Sequence, residues 1–232
     1  MQAWIDFARG PLFALTFLIM VLGLLRLLVI QIHSLAQGKG RRLRNAPWKK
    51  ILTDAGSWVV PIRHMIPGTR VFSSFSFLLH IGLILVPLFL ADHAVLWSRW
   101  LGLDLPSLSP LLADGLTLLT ILCAGVLLGC RIFIERHRMT SRRMDYLLLP
   151  IILLPFVSGF LASHPGLNPV PWEAMMLTHL LSAELLFVLV PFTKLAHVVL
   201  FFFDRISQVH WQLRPGAGKR VARALFGEEA RV

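Results

Sequence analysis

Five long apolar stretches dominate this 232-residue chain, and they constrain it more than any other feature. They run from Pro11 to Ile32, Val71 to Trp97, Leu111 to Ile134, Asp145 to Ser163 and Ala174 to Phe203. Each is close to the roughly 20 residues an α-helix needs to cross a bilayer. A backbone inside lipid has to satisfy its own polar groups, so stretches of this length predict helices. The expected fold is all-α: a polytopic membrane protein built as a bundle of five transmembrane helices. Composition agrees, with 15% charged and 56% hydrophobic residues, against about 25% and about 45–50% in soluble domains. An ordinary soluble enzyme, a disordered chain and a secreted disulfide scaffold are excluded. The first stretch is too long for a signal-peptide core and no small-residue cleavage site follows it, so it is read as the first helix. Pro87, Pro150, Pro155 and Pro191 lie inside the stretches, and kinks are expected there.

The net charge is +11. In a soluble chain that would suggest nucleic acid, but here the cations occupy the gaps between apolar stretches, so no nucleic-acid partner is expected. Eighteen lysines and arginines fall in the segments 35–70, 135–143 and 204–232, against Arg9 and Arg99 in the opposite set of gaps. The positive-inside rule then predicts an outer N-terminus and a cytoplasmic C-terminus. Residues 1–205 form the expected membrane domain and 206–232 a basic cytoplasmic tail. Cys123 and Cys130 share one apolar stretch and are expected to be packed, free thiols. No CxxCH, HExxH or Cys/His cluster of zinc or iron–sulfur spacing occurs. The Gly216–Arg220 stretch lacks the first glycine and the hydroxyl residue of a phosphate loop.

Ionisable groups within membrane helices are costly and need a reason. His80 and His93 lie in the second stretch, His179 and His197 in the fifth. With a rise of 1.5 Å per residue, the first pair is separated by about 20 Å and the second by about 27 Å. The two helices run in opposite directions, so His80 matches His197 at the cytoplasmic depth and His93 matches His179 at the outer depth. Two such pairs are what two stacked bis-histidine haems require. Eighteen residues make five whole turns, which puts His179 and His197 on one face of a continuous helix. His93 falls about 140° from the face of His80, and a kink at Pro87 would restore its phase. The inner pair is thus the better matched of the two. The other histidines, His164 included, are read as solvated.

These residues resemble a family. The His179–His197 spacing, with Pro191-Phe192-Thr193-Lys194-Leu195-Ala196-His197 at its end, is similar to the gamma subunit of respiratory nitrate reductase. So are His80-Ile81-Gly82 in the second stretch and the five-helix layout, over roughly residues 10–205. The family's outer histidine on the second helix lies ten residues after the first, where this chain has Leu90, and His93 takes its place. The resemblance implies two b haems held by His80, His93, His179 and His197. It also implies quinol oxidation near the outer haem and electron transfer to an iron–sulfur subunit on the cytoplasmic face of a bacterial or archaeal inner membrane.

Haem propionates need cationic partners near the membrane edge, and Arg131, Lys194 and Arg26 lie at suitable depths. Quinol oxidation releases protons, for which Glu184 and Asp92 are candidate acceptors. Asp114 is read as a structural residue favoured by the dipole of its helix N-terminus. Two rival readings remain: a single haem between His80 and His197, and a haem-free membrane anchor or transporter whose histidines bond between helices.

Overall fold

The computed structural model describes residues 1–44, 48–57, 70–201 and 203. The tail 206–232, His64, His210 and the stretch 216–220 lie outside the described residues. The regular structure among the described residues is helical throughout. In chain order it comprises α1 (Gln2–Phe7), a π-helical turn (Ala8–Leu12), α2 (Phe13–Arg44), α3 (Trp48–Ser57), α4 (Arg70–Phe89) and α5 (Ala91–Leu101). There follow α6 (Pro110–Phe133), α7 (Glu135–Thr140), α8 (Arg143–Ser163), α9 (Trp172–Leu189) and two 3₁₀ turns, Val190–Phe192 and Lys194–Ala196.

Among the described residues, five helical segments are long and apolar enough to cross a membrane: Gln2–His33, Arg70–Phe89, Pro110–Phe133, Arg143–Ser163 and Trp172–Phe192. This is the architecture of a multi-pass membrane protein. Each span carries exposed apolar residues. Leu15, Leu18, Leu22, Leu25 and Val29 are all exposed. Their three- and four-residue steps trace one helix face, a stripe that lipid would cover.

The chain divides into two compact units, Met1–Thr16 with His64–Leu186, and Phe17–Arg63 with Phe187–Val232. In the first unit, α4 packs on α6 and α6 packs on α8. The core between them is Leu79, Cys123, Ala124, Leu127 and Leu149. Both cysteines are free. Gly82 lets α4 approach α6: a Cβ on it would run into the Thr120 hydroxyl, which is turned onto the Leu116 carbonyl at 2.6 Å.

The prolines act differently from expectation. The helix continues through Pro87, Pro150 and Pro155, and the breaks fall at Leu90 and after Leu189. The second span therefore ends at Phe89, not Trp97, and the fifth at Phe192, not Phe203. Leu90 is extended, with ψ 138°, and α5 begins one residue later. The carbonyls left at the end of α4 find other donors, which is why the break is tolerated. Trp97 Nε1–H donates to Pro87 O at 3.0 Å, and the Leu108 amide donates to Phe89 O at 2.8 Å. Helix α5 ends at Gly102, whose φ of 66° suits a residue without a side chain. Phe13 packs against Trp97 and Trp100 of this helix, with ring centroids 6.1 Å and 5.7 Å apart.

In the second unit, Pro191 lacks the amide that would continue the helix. Thr193 is extended; its hydroxyl donates to Leu189 O at 2.8 Å and accepts from the Leu195 amide at 3.3 Å. The equal-phase relation expected of His179 and His197 requires one unbroken helix, and these turns remove that premise.

Candidate functional site

The site is built where α5, α8 and α9 of the first unit meet. The imidazoles of His93 and His179 are parallel to within 1°, with centroids 6.0 Å apart. The helix is broken at Leu90, between His80 and His93, so the 140° offset expected of one continuous helix does not apply to His93. Helix α8 supplies the seat for His179. The Nδ1–H of His179 donates to Pro155 O at 2.8 Å, and its ring lies so close to Gly159 that a Cβ there would sit 2.9 Å from Cε1 and Nδ1. The Nδ1–H of His93 donates, more weakly, to Val86 O at 3.3 Å. Both bonds assign the proton to Nδ1 and the lone pair to Nε2. His93 lies outside the spans and is held neutral. Burial, and after it the neighbouring His179, lower its pKa from 6.5 to about 4, against the raising effects of the Val86 carbonyl, Asp92 and the Pro87 carbonyl.

Two neutral imidazoles, each with Nδ1–H on a backbone carbonyl, are a donor set of the kind that would hold a haem iron. Among the described residues no cluster of three or more His, Cys, Asp or Glu side chains would hold a bare metal ion. A porphyrin supplies four ligands itself, so a pair of histidines suffices for haem.

A small pocket of about 60 Å³ opens beside His179, lined by Val86, Leu90, Asp114, Phe156 and Phe160 among others. Leu90, the residue standing at the expected ligand position, is thus both the hinge of the break and part of the pocket wall. The sequence suggests a helix-terminus role for Asp114 and a solvated surface for His164, yet Asp114 Oδ2 lies 3.4 Å from His164 Nε2 at the pocket edge. The signal is present in the order of elements: Asp114 lies in the second turn of α6 and His164 caps the end of α8, so antiparallel helices bring them to one level. Gly159 leaves no such trace.

The other predicted residues are distributed as follows. His80 and His197 belong to different units; each is exposed, with Nδ1–H donating to Ser76 O at 2.6 Å and to Lys194 O at 2.7 Å, respectively. Lys194 is exposed. Arg131 donates from Nη1 to Ser141 Oγ at 2.8 Å and lies 5.3 Å over the Phe72 ring, while its buried Nε has no acceptor. Asp92 is exposed in the first turn of α5, next to His93. Glu184 is 5% exposed and neither carboxyl oxygen has a partner. Five residues along a helix turn it about 140° from His179, and it does not line the pocket.

No family model matches the chain, and no solved structure matches it. A protein of Nitratidesulfovibrio vulgaris, described only as "Protein", is 34% identical over 209 residues, spanning 86% of this chain and 89% of that one. At that identity over nearly the full length of both, the chain belongs to the same family as the Nitratidesulfovibrio vulgaris protein.

Proposed function

We propose that this chain is a membrane cytochrome b subunit that moves electrons between the quinone pool and a partner redox subunit. The parallel His93–His179 pair carries the reading: two neutral rings at haem-ligand spacing, each oriented by a backbone carbonyl. The resemblance to the nitrate reductase gamma subunit supports the same residues, with His80 and His197 as ligands of a second, inner haem. Bound haem supplies one-electron redox chemistry; the protein supplies ligands, depth and charge. Arg131, Lys194 and Arg26 are the candidate propionate partners on the cytoplasmic side.

The cation distribution supports an outer N-terminus and a cytoplasmic C-terminus in a bacterial- or archaeal-type inner membrane. An iron–sulfur or other redox partner then docks on the cytoplasmic side. Quinol oxidised at the outer site releases protons outside while its electrons travel inward. That separation corresponds to about 2.3 kcal/mol per electron per 100 mV.

A pyridine haemochrome assay on the purified full-length chain tests this. Two b haems per chain are expected, with His93→Ala and His80→Ala each removing one. A single haem lost in His93→Ala but kept in His80→Ala would leave the outer centre alone. The parallel His93–His179 pair favours that single-haem form over one between His80 and His197. A haem-free chain from cells well supplied with haem would overturn the cytochrome reading in favour of a membrane anchor.

A further inference from the structure

We propose that Asp114 and His164 form a binding site for zinc or a neighbouring first-row divalent ion, which clamps the start of α6 to the end of α8. Neither His93 nor His179 takes part, so the site does not depend on the cytochrome reading. Asp114 lies in the second turn of α6 and His164 caps α8. His164 Nε2 is 3.4 Å from Asp114 Oδ2. A hydrogen-bonded ion pair of these groups would close to about 2.7–2.9 Å, so the observed gap is too long for a bond between them. Bonds of about 2.0–2.2 Å to one tetrahedral zinc would put a histidine nitrogen and a carboxylate oxygen about 3.4 Å apart. The spacing is that of two ligands to a shared ion.

His164 is fixed on every side but one. Its amide donates to Leu161 O at 3.2 Å, and its carbonyl accepts from the Leu167 amide at 2.9 Å. Its Nδ1–H donates to Phe160 O at 2.8 Å, and its ring stacks on Phe160 with centroids 4.1 Å apart. That bond puts the proton on Nδ1 and the lone pair on Nε2, the arrangement that metal-binding histidines adopt. Nε2 then meets the Asp114 carboxylate as one acceptor facing another, and a cation between them resolves the conflict.

Imidazole with carboxylate suits zinc and its neighbours, whereas magnesium and calcium take oxygen ligands. Among the described residues no third His, Cys, Asp or Glu joins the pair, so water completes the shell. The Asp114 and His164 side chains are 43% and 32% exposed, which leaves water that access. Such a site exchanges its ion with the medium. Phe160, beneath the His164 ring, lines the small pocket together with Gly159 and Asp114. The clamp thus acts on the turn of α8 that seats His179.

The test is a zinc titration of the full chain, purified without a histidine tag and stripped with chelator, read by calorimetry and by thermal unfolding in detergent. One zinc per chain is expected at this site, with a raised melting temperature, because an ion that binds only the folded form stabilises it. Loss of a group that merely orients a ligand costs about 10–100-fold in metal affinity, so loss of one of two protein ligands should cost about 100-fold or more. His164→Gln and Asp114→Asn are each expected to weaken zinc binding by that factor and to abolish the zinc-dependent shift, with the zinc-free melting temperature kept. His164→Cys, which supplies a thiolate, should restore binding. Should Asp114→Asn fail to fold, His164→Gln at the partly exposed helix end decides alone. A parent chain that takes up no zinc, parental affinity in His164→Gln, or displacement of zinc by an equal concentration of magnesium overturns the site.

Discussion

Gly159 of α8 lies against the His179 ring so closely that a methyl group on it would sit 2.9 Å from both Cε1 and Nδ1. The same ring is tied to the Pro155 carbonyl one turn earlier on α8. A single helix face therefore fixes both the position and the tautomer of this imidazole. Gly159→Ala should push the ring off the carbonyl at an overpacking cost of about 1–3 kcal/mol. The expected readout is loss or high-spin conversion of one b-type haem signal. A variant with full haem and an unchanged low-spin spectrum would refute the close approach.

The contact between α4 and α6 makes a prediction with an internal control. Gly82→Ala should destabilise the chain by about 1–3 kcal/mol, because its new methyl meets Thr120. Thr120→Ala in the same chain should recover part of the loss. At Gly125 and Gly129 of α6 an added methyl would meet nothing within 4 Å, and changing either to Ala should stabilise by up to about 1 kcal/mol. Thermal unfolding in detergent separates the cases. Equal tolerance at Gly82 and Gly125 would show that the helices are not in this contact.

Trp97 holds the break at Leu90 by donating to Pro87 O. Trp97→Phe keeps a ring against Phe13 but removes the indole donor from that carbonyl, at a cost of about 0.5–1.5 kcal/mol. The melting temperature should fall, and the haem signal proposed for His93 should broaden, since α5 carries His93. An unshifted melting temperature would mean the carbonyl has another donor.

Thr193 secures the second break through its hydroxyl, donating to Leu189 O and accepting from the Leu195 amide. Thr193→Ala should cost about 0.5–2 kcal/mol, the range for losing a helix cap, and Thr193→Ser should restore most of it. His197 follows four residues later, so the haem assigned to it should be lost at lower temperature in the alanine variant. Identical melting of the alanine and serine variants would remove the hydroxyl from the account.

The residues differ in how far they can be read in one dimension. The five apolar stretches are legible because lipid imposes one rule on every residue of a span. The four histidines stand out because an ionisable group within such a stretch has few inexpensive explanations. Proline is a poorer guide. Pro150 and Pro155 sit inside a continuous α8, while the breaks fall at Leu90, three residues after Pro87, and around Pro191. A proline removes one hydrogen bond wherever it stands, but the chain departs from helix only where other donors can satisfy the released carbonyls. Those donors, Trp97, Leu108 and Thr193, lie beyond the proline and become visible only once the chain has turned.

An all-helical, multi-span chain is legible in one dimension, as are the histidines placed along it, since hydrophobic length and ionisable residues within it are local properties. Which histidines meet was set by packing. It set His93 parallel to His179 through a break at Leu90, seated the ring on Gly159 and Pro155, and brought Asp114 to His164 from separate helices. Pairings of this kind depend on packing distances and ring orientations between segments far apart in the chain, and periodicity along one helix carries no information about its neighbour.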